Sequence, residues 1–293
     1  MKQECLFTRY NGALLYIGLP HQNYEIDIKN LKKQIVKTKS IFARYTTDSQ
    51  LITPPHVESE LSDSECNDNI HWWHCLRKDP IDLGALNSKQ RYRIKKGLKL
   101  NRIEHVDGNF IIENLDAVAD LLQASFSDYP GVYKPTVDNK KLATSYAYDN
   151  REKWVVFDVE TNNIIGLCIC SINDDVVGLH VVKVDPAYLK NEVNAALVYE
   201  LCTYYLNNKH LKYICDGERN LVHITNYQEF LVRVLGFKKV PCRLHVVYHP
   251  LILPIITMLY PFRGLIGKIK MRYSLIYKIH CVLMQEQIAR QYR

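Results

Sequence analysis

The segment from Val176 to Phe237 restricts the fold more than any other part of the chain. An apolar strand pattern, Val176-Val-Gly-Leu-His-Val-Val-Lys-Val184, stops at Asp185-Pro186, and helically spaced apolar residues follow from about Asn191 through Val193, Leu197, Leu201 and Tyr205. A second strand, Lys212-Tyr-Ile-Cys-Asp216, leads into another helical run, with Ile224, Phe230, Leu231 and Val234 in helical positions and Leu235-Gly236-Phe237 as its stop. A strand, a crossover helix and a strand of this length predict a right-handed unit with its ligand near the strand ends.

A chain of 293 residues, 47% hydrophobic, has material for one large domain or two small ones. Its first ten residues lack the apolar run of a signal peptide, and no segment reaches the roughly 18 uninterrupted apolar residues of a spanning helix. Nine cysteines, odd in number and irregularly spaced, fit reduced thiols better than a disulfide framework. A cytoplasmic protein is expected. From Pro241 onward the chain carries eight Lys or Arg and one acid, Glu286, so the first 240 residues balance at thirty of each sign. Its basic character therefore belongs to the tail, with one further basic helix near the front.

Ahead of the central segment, residues 13 to 17 and 41 to 45 read as strands, and Ile28, Leu31 and Ile35 mark one face of a helix between them. Residues 57 to 69 are acidic and polar, the composition of an exposed loop, before His71-Trp-Trp-His-Cys-Leu76 returns to strand-like material. Asn87 or Ser88 then caps a short basic helix bearing Lys89, Arg91, Arg93, Lys95, Lys96 and Lys99. Two readings stand for it: a solvated basic face, or a hold on a phosphate-rich ligand. Further on, the pattern gives a strand at 102–106, helices near 115–122 and 140–148, and strands at 154–160 and 164–172. With the central segment and a last strand at 237–248, the order is β-α-α-β-β-β-α-β-α-β.

That succession, with Val184-Asp-Pro186 ending the fourth strand and Leu235-Gly-Phe237, is similar to the acyl-CoA N-acyltransferase fold of the GNAT superfamily. The resemblance covers residues 102 to 248 and implies that an Arg/Gln-x-x-Gly-x-Gly/Ala loop after that strand holds the diphosphate of coenzyme A. Here those positions read Lys190-Asn-Glu-Val-Asn-Ala195, with Val193 in place of the first glycine and Glu192 where a diphosphate would sit. The tyrosine that serves those enzymes as general acid, four residues before the Gly-Phe pair, is Val232. The chain also resembles Fem-type transferases, which are built from GNAT-like lobes, use aminoacyl-tRNA and do not rely on that loop; Arg91-Tyr-Arg-Ile-Lys-Lys-Gly97 looks like their segment between lobes. Residues 216 to 237 are similar to uncharacterised bacterial GNAT-like proteins, some associated with surface-polysaccharide gene clusters. What the resemblance implies is a mixed α/β sheet at 102–248, a reduced N-terminal α/β lobe at 1–101 and a basic amphipathic tail at 249–293.

Asp216, Arg219, His223, Thr225, Asn226 and Gln228 concentrate polar groups where a strand meets a helix, the place where α/β sheets hold ligands. His223 is the candidate general base and Arg219 a clamp for a carboxylate or phosphate. The plainer reading has Thr225 and Asn226 capping the helix and Asp216 paired with Arg219. His180 shares a strand face with Val182 and Val184 by alternation, which reads as a core histidine; in the GNAT fold this strand meets the acyl group, so His180 is also a second catalytic candidate. Val182, Val184, Lys190 and Asn191 are the donor-binding candidates, and Tyr129 and Tyr133 form an expected loop over the acceptor.

No metal is expected. Cys66, His71, His74 and Cys75 lack a second Cys-x-x-Cys pair, and adjacent His74 and Cys75 point to opposite sides of a strand. Cys168 and Cys170 share one strand face and read as buried thiols. In the tail, Ile266, Ile269, Tyr273, Ile276, Ile279 and Leu283 follow one helical face beside Arg263, Lys268, Lys270, Arg272 and Lys278. This fits an interfacial helix at the inner face of a membrane or packing against the domain. The reading that results is an acyl- or aminoacyltransferase acting on an amine or hydroxyl of a small or lipid-linked envelope or polysaccharide precursor, with acyl-CoA or aminoacyl-tRNA as donor. A GNAT-fold binding module without catalysis is the alternative. An RNA-binding protein using residues 89–99 is a third, and it lacks the interleaved aromatic platform that bases stack on.

Overall fold

The computed structural model describes residues 6–22, 24–47, 71–127, 129–132, 134–135, 137–221 and 226–292. The chain forms two compact units, one from residues 1–74, 218–224 and 239–293, the other from 75–217 and 225–238. In the first unit, β1 (Phe7–Tyr10), β2 (Ala13–Tyr16), α1 (Ile28–Lys37) and β3 (Phe42–Thr47) come first. β4 (Trp72–Arg77) then carries the chain from the first unit into the second.

The second unit contains α2 (Ser88–Leu100), β5 (Asn101–Val106), α3 (Gly108–Glu113), α4 (Leu115–Ser125), α5 (Asn139–Ala147), β6 (Glu152–Asp158), β7 (Ile164–Asn173), β8 (Val176–Val184), α6 (Val193–Cys202), β9 (Tyr213–Glu218) and α7 (Tyr227–Leu235). β10 (Lys238–Tyr248), α8 (Leu253–Leu259), α9 (Arg263–Ile269) and α10 (Ser274–Ala289) return to the first. The expected order of elements is found from β5 onward, with one short helix, α3, added. The N-terminal strand β1 was not anticipated.

In the first unit β1 pairs antiparallel with β2, β2 parallel with β3, and β3 antiparallel with β10. Adjacent residues of β2 enter opposite cores, as the period of two requires. Leu14 packs with Leu31 and Ile35 of α1, and Ala13 with Leu244, Ile256, Leu283 and Ile288. One side of the C-terminal helices is thus core.

In the second unit β5, β6, β7 and β8 are antiparallel neighbours, and β9 joins β8 in parallel. On one face Val155, Phe157, Leu167 and Ile169 meet α3, α4 and α5 through Ile111, Val118, Leu122 and Ala143. On the other lies α6, whose Val193, Leu197, Val198 and Leu201 are all buried. It runs on as a π-helical stretch, residues 203–208, where the Tyr205 hydroxyl accepts from Trp154 Nε1 at 2.9 Å and donates to Glu152. α7 ends at Gly236, whose φ of 65° is the left-handed cap that glycine favours.

Two local features place the site. In the β7·β8 pairing Val181 faces Ile169 while Leu179 faces Cys170, so His180 is an extra residue on β8. Such a bulge bends the strand that carries it, and β8 pairs with β9 only through Val176, Val177 and Gly178. The second feature is the approach of α2 to α6. A Cβ on Gly97 would lie 2.6 Å from the Glu192 carbonyl oxygen and 3.0 Å from Ala196 Cβ. Gly97→Ala should therefore lose about 1–2 kcal/mol in urea unfolding, because overpacking outweighs the gain in helix propensity; a stabilised variant would mean that the two helices are not held this closely.

Candidate active site

The bulge leaves the second half of β8, Leu179 to Val184, unpaired with β9, so some of its backbone groups have no strand partner on that side. Asp216 follows Cys215, the last residue of β9 paired with β8. Burial raises its carboxyl from the ordinary 3.8 to about 7, against the lowering effect of a hydrogen bond with Gln228. Tyr227, the first residue of α7, brings a phenol to the same place. Its hydroxyl is buried and has no hydrogen-bond partner among the described residues, and its pKa is pushed up by burial and then by Asp216, Cys168, Cys75 and Cys170. Cys168 and Cys170 of β7 are buried, with their sulfurs 3.5 Å apart. A carboxyl that keeps its proton almost to neutrality, beside an unpaired phenol, is an arrangement that a polar substrate group completes.

Lys183 lies on the same unpaired half of β8. Its Nζ sits over the rings of Phe126, at 4.4 Å, and Tyr129, at 5.2 Å, and donates to the Tyr129 hydroxyl at 3.2 Å. Burial lowers its pKa from 10.5 to about 8. Tyr129 thus stands beside Lys183 of β8.

The loop at the start of α6 differs from a diphosphate cradle. Glu192 adopts the left-handed conformation, with φ 58°. Its Oε2 accepts from Arg93 Nε at 2.8 Å and Nη2 at 2.7 Å. Lys96 Nζ donates to the Lys190 carbonyl at 2.8 Å, and Asn101 Nδ2 to the Asn191 carbonyl at 3.0 Å. Arg93 also lies 5.1 Å over the ring of Phe230, which stacks on Tyr227. A carboxylate with its counter-ion occupies the place where a diphosphate would need positive potential. Arg91, Arg93 and Lys96 of the basic helix are all engaged with protein partners, Arg91 through the Gly84 carbonyl.

His223, Thr225 and Tyr133 lie outside the described residues. His180 is not a core histidine: the bulge takes it off the face of Val182 and Val184, and it is exposed, with Nε2 2.6 Å from Ser171 Oγ. Desolvation by the neighbouring protein and the charge of Arg151 lower its pKa. Asn226 occupies the N-cap position of α7 but makes no side-chain cap bond. Arg219 Nη1 donates to the His71 carbonyl at 2.8 Å in the first unit. Val182 and Val184 lie on the unpaired half of β8 and are part-buried.

Of the residues weighed for zinc, Cys66 is outside the described residues, and His74 is buried with Nε2 3.4 Å from Thr46 Oγ1. Among the described residues no group of three or more His, Cys, Asp or Glu is placed to hold a metal. Tyr227 and Lys183 were missed. Each left a sign in the sequence: a tyrosine on an apolar helical stripe whose hydroxyl needs a partner, and a lysine between two valines of a strand.

No protein-family model matches the sequence, and no curated protein matches it. Among solved structures, L-PGS from Bacillus licheniformis is similar with a TM-score of 0.50 and 10% identity, over 86% of this chain and 83% of that one. A conserved protein of unknown function from Bacteroides thetaiotaomicron is similar with a TM-score of 0.50 and 14% identity, over 80% of this chain and 79% of that one. The C-terminal domain of a putative lysylphosphatidylglycerol synthetase from Agrobacterium fabrum has a TM-score of 0.47 at 10% identity, over 86% and 84% of the two chains. At these identities the first two likenesses show the fold alone, the mixed α/β architecture that the element order predicts.

Both unusual pKa values make stability depend on pH with a definite sign. Because Asp216 holds its proton to about 7 in the fold and to 3.8 when unfolded, stability is lost as pH rises between these values. The stability of Asp216→Asn relative to the unsubstituted protein should therefore increase between about pH 4 and 7 and stay level above, in paired thermal melts; a difference independent of pH would contradict a buried carboxyl. The ammonium of Lys183 penalises the fold at neutral pH, and the penalty lifts as pH rises from about 8 to 10.5. Allowing for solvent screening of a part-buried group, Lys183→Met should gain about 1 kcal/mol at pH 7, shrinking above pH 8. A loss of stability would instead make the ring contacts the dominant effect.

Proposed function

We propose that this protein transfers an acyl group, in aminoacyl form, from an activated ester to an amine or hydroxyl of a cell-envelope or polysaccharide precursor. The observation that carries this reading is the end of β8·β9 pairing at Gly178 and Cys215 beside Asp216 and Tyr227. The donor carbonyl enters between the two strands. Backbone N–H groups on the unpaired half of β8 meet the oxygen that becomes negative during attack. The nucleophilic nitrogen or oxygen of the acceptor adds to the carbonyl carbon, its proton passes to the ionised Asp216, and the C–O bond to the ester oxygen breaks as Asp216 returns that proton to it. His223 is the second candidate for that proton. Tyr227 orients the acyl group through its hydroxyl, and Lys183 with Tyr129 borders the acceptor.

The aminoacyl form of the donor is favoured over acyl-CoA by the Arg93–Glu192 pair, which puts an anion where the diphosphate of coenzyme A would bind. A carboxylate beside the opening also suits the ammonium of an aminoacyl group. An envelope acceptor is supported by the resemblance of residues 216–237 to proteins of surface-polysaccharide clusters. The same Arg93–Glu192 pair, with Val232 in place of a tyrosine, favours the second reading, a binding module that keeps the fold without turnover.

Transfer assays with radiolabelled aminoacyl-tRNA and acetyl-CoA, on hydroxyl and amine acceptors, separate the readings. Product is expected from the aminoacyl donor alone, and Tyr227→Phe should lower its rate about 10- to 100-fold while melting no lower than the unsubstituted protein, since the hydroxyl it removes is unpaired. Product from acetyl-CoA alone would overturn the choice of donor, and binding of donor without product would favour the binding module.

A further inference from the structure

The C-terminal helices carry two apolar stripes, and only one is core. Ile252, Ile256, Leu259 and Ile266 pack into the first unit. Leu251, Ile255, Met258, Phe262, Leu265 and Ile269 follow one another at spacings of four and three and are all exposed. Leu251 is 76% exposed, Met258 65% and Leu265 62%, far beyond the partial exposure expected at the edge of a core. The run is almost unbroken helix, with α8 and α9 joined and followed by short 3-10 turns at 260–262 and 270–272. A helix apolar on two sides needs a second partner for the outer one.

The charges around this stripe identify the partner. No Asp or Glu occurs in the sequence between Glu229 and Glu286. Lys268 and Arg272 are exposed within or just after the stripe, and Lys278 is exposed on α10. At its start, Lys32, Lys33 and Lys37 of α1 share a shallow hollow with Val36 and Pro250, so cations from a distant part of the chain border the same end. Phe262 and Tyr273, both exposed, add aromatic rings of the kind that favour the level of lipid headgroups. No helix among the described residues is long and apolar enough to cross a membrane. Apolar side chains that reach only the headgroup and upper acyl region, ringed by lysine and arginine, match an anionic bilayer surface lying along the helix.

We propose that the outer face of residues 251–275 is a docking surface for an anionic lipid bilayer, lying flat in its interface. It goes beyond acyl transfer, and it is read by binding alone, so it stands or falls apart from the proposed activity.

The test is co-sedimentation of the full chain with vesicles of phosphatidylglycerol and phosphatidylcholine, compared with phosphatidylcholine alone, at low and high salt. Binding to the anionic vesicles should be at least about tenfold stronger and should weaken with salt, while Phe262→Glu with Leu265→Glu should abolish it. Both residues are exposed, so the double variant should keep its melting temperature; Lys268→Gln with Arg272→Gln gives a second route, lowering affinity for anionic vesicles only. Failure of the unsubstituted protein to sediment, or undiminished binding of both variants, overturns the proposal. So does a dimer in light scattering that Leu265→Glu splits while vesicle binding is absent, since the stripe would then be covered by a second copy.

Discussion

The structure of the second unit depends on one arrested ladder. A parallel strand normally satisfies its neighbour's backbone along its length, yet β9 meets β8 through three residue pairs and then departs. The extra residue at His180 explains this. It bends β8 while β7 stays paired with it on both sides, shifted by one residue at the bulge, whereas pairing with β9 ends at Gly178. What would be continuous sheet becomes an opening whose walls still carry polar backbone groups. Asp216 and Tyr227 are placed at it by the strand that turns away and by the helix that follows.

The charges around the opening are of two kinds. Arg93 and Glu192 satisfy each other, and the helix bearing Arg93 approaches closely only because residue 97 has no side chain. Asp216 and Lys183 are different: burial pushes both toward their neutral forms. Buried groups without matching charge reduce stability, and they persist where a ligand supplies what the protein withholds. The contrast separates charges that have become internal structure from two groups held in the fold without a matching charge.

Much of this architecture was legible in the sequence, since it rests on short-range patterns. The strand Val176–Val184, the crossover helix after it and the glycine stop at residue 236 follow from periodicity and capping chemistry. Asp216 and Gln228 were legible as a polar cluster at a strand end. The bulge was not. Strict alternation put His180 on the face of Val182, and only the pairing with β7 reveals the residue out of step. Lys183 and Tyr227 escaped for a related reason: a lysine in a strand and a tyrosine in a helix acquire significance from burial, which depends on Phe126 and Tyr129 in one case and Asp216 in the other. In the tail the expected single stripe is not one face, since Ile266, Ile279 and Leu283 are core while Ile269 and Tyr273 are exposed across a break at residues 270–273; the division into an inner and an outer stripe needed the sheet of the first unit.

Backbone hydrogen exchange across β8 tests the central claim most directly. In the free protein the amides of Leu179 to Val184 that face away from β7 should exchange rapidly while those of Val176 to Gly178 are protected, and a non-hydrolysable 3′-aminoacylamino-adenosine should slow the rapid set. Uniform protection along the whole of β8 before any ligand is added would contradict the account, because no opening would exist for a carbonyl to enter.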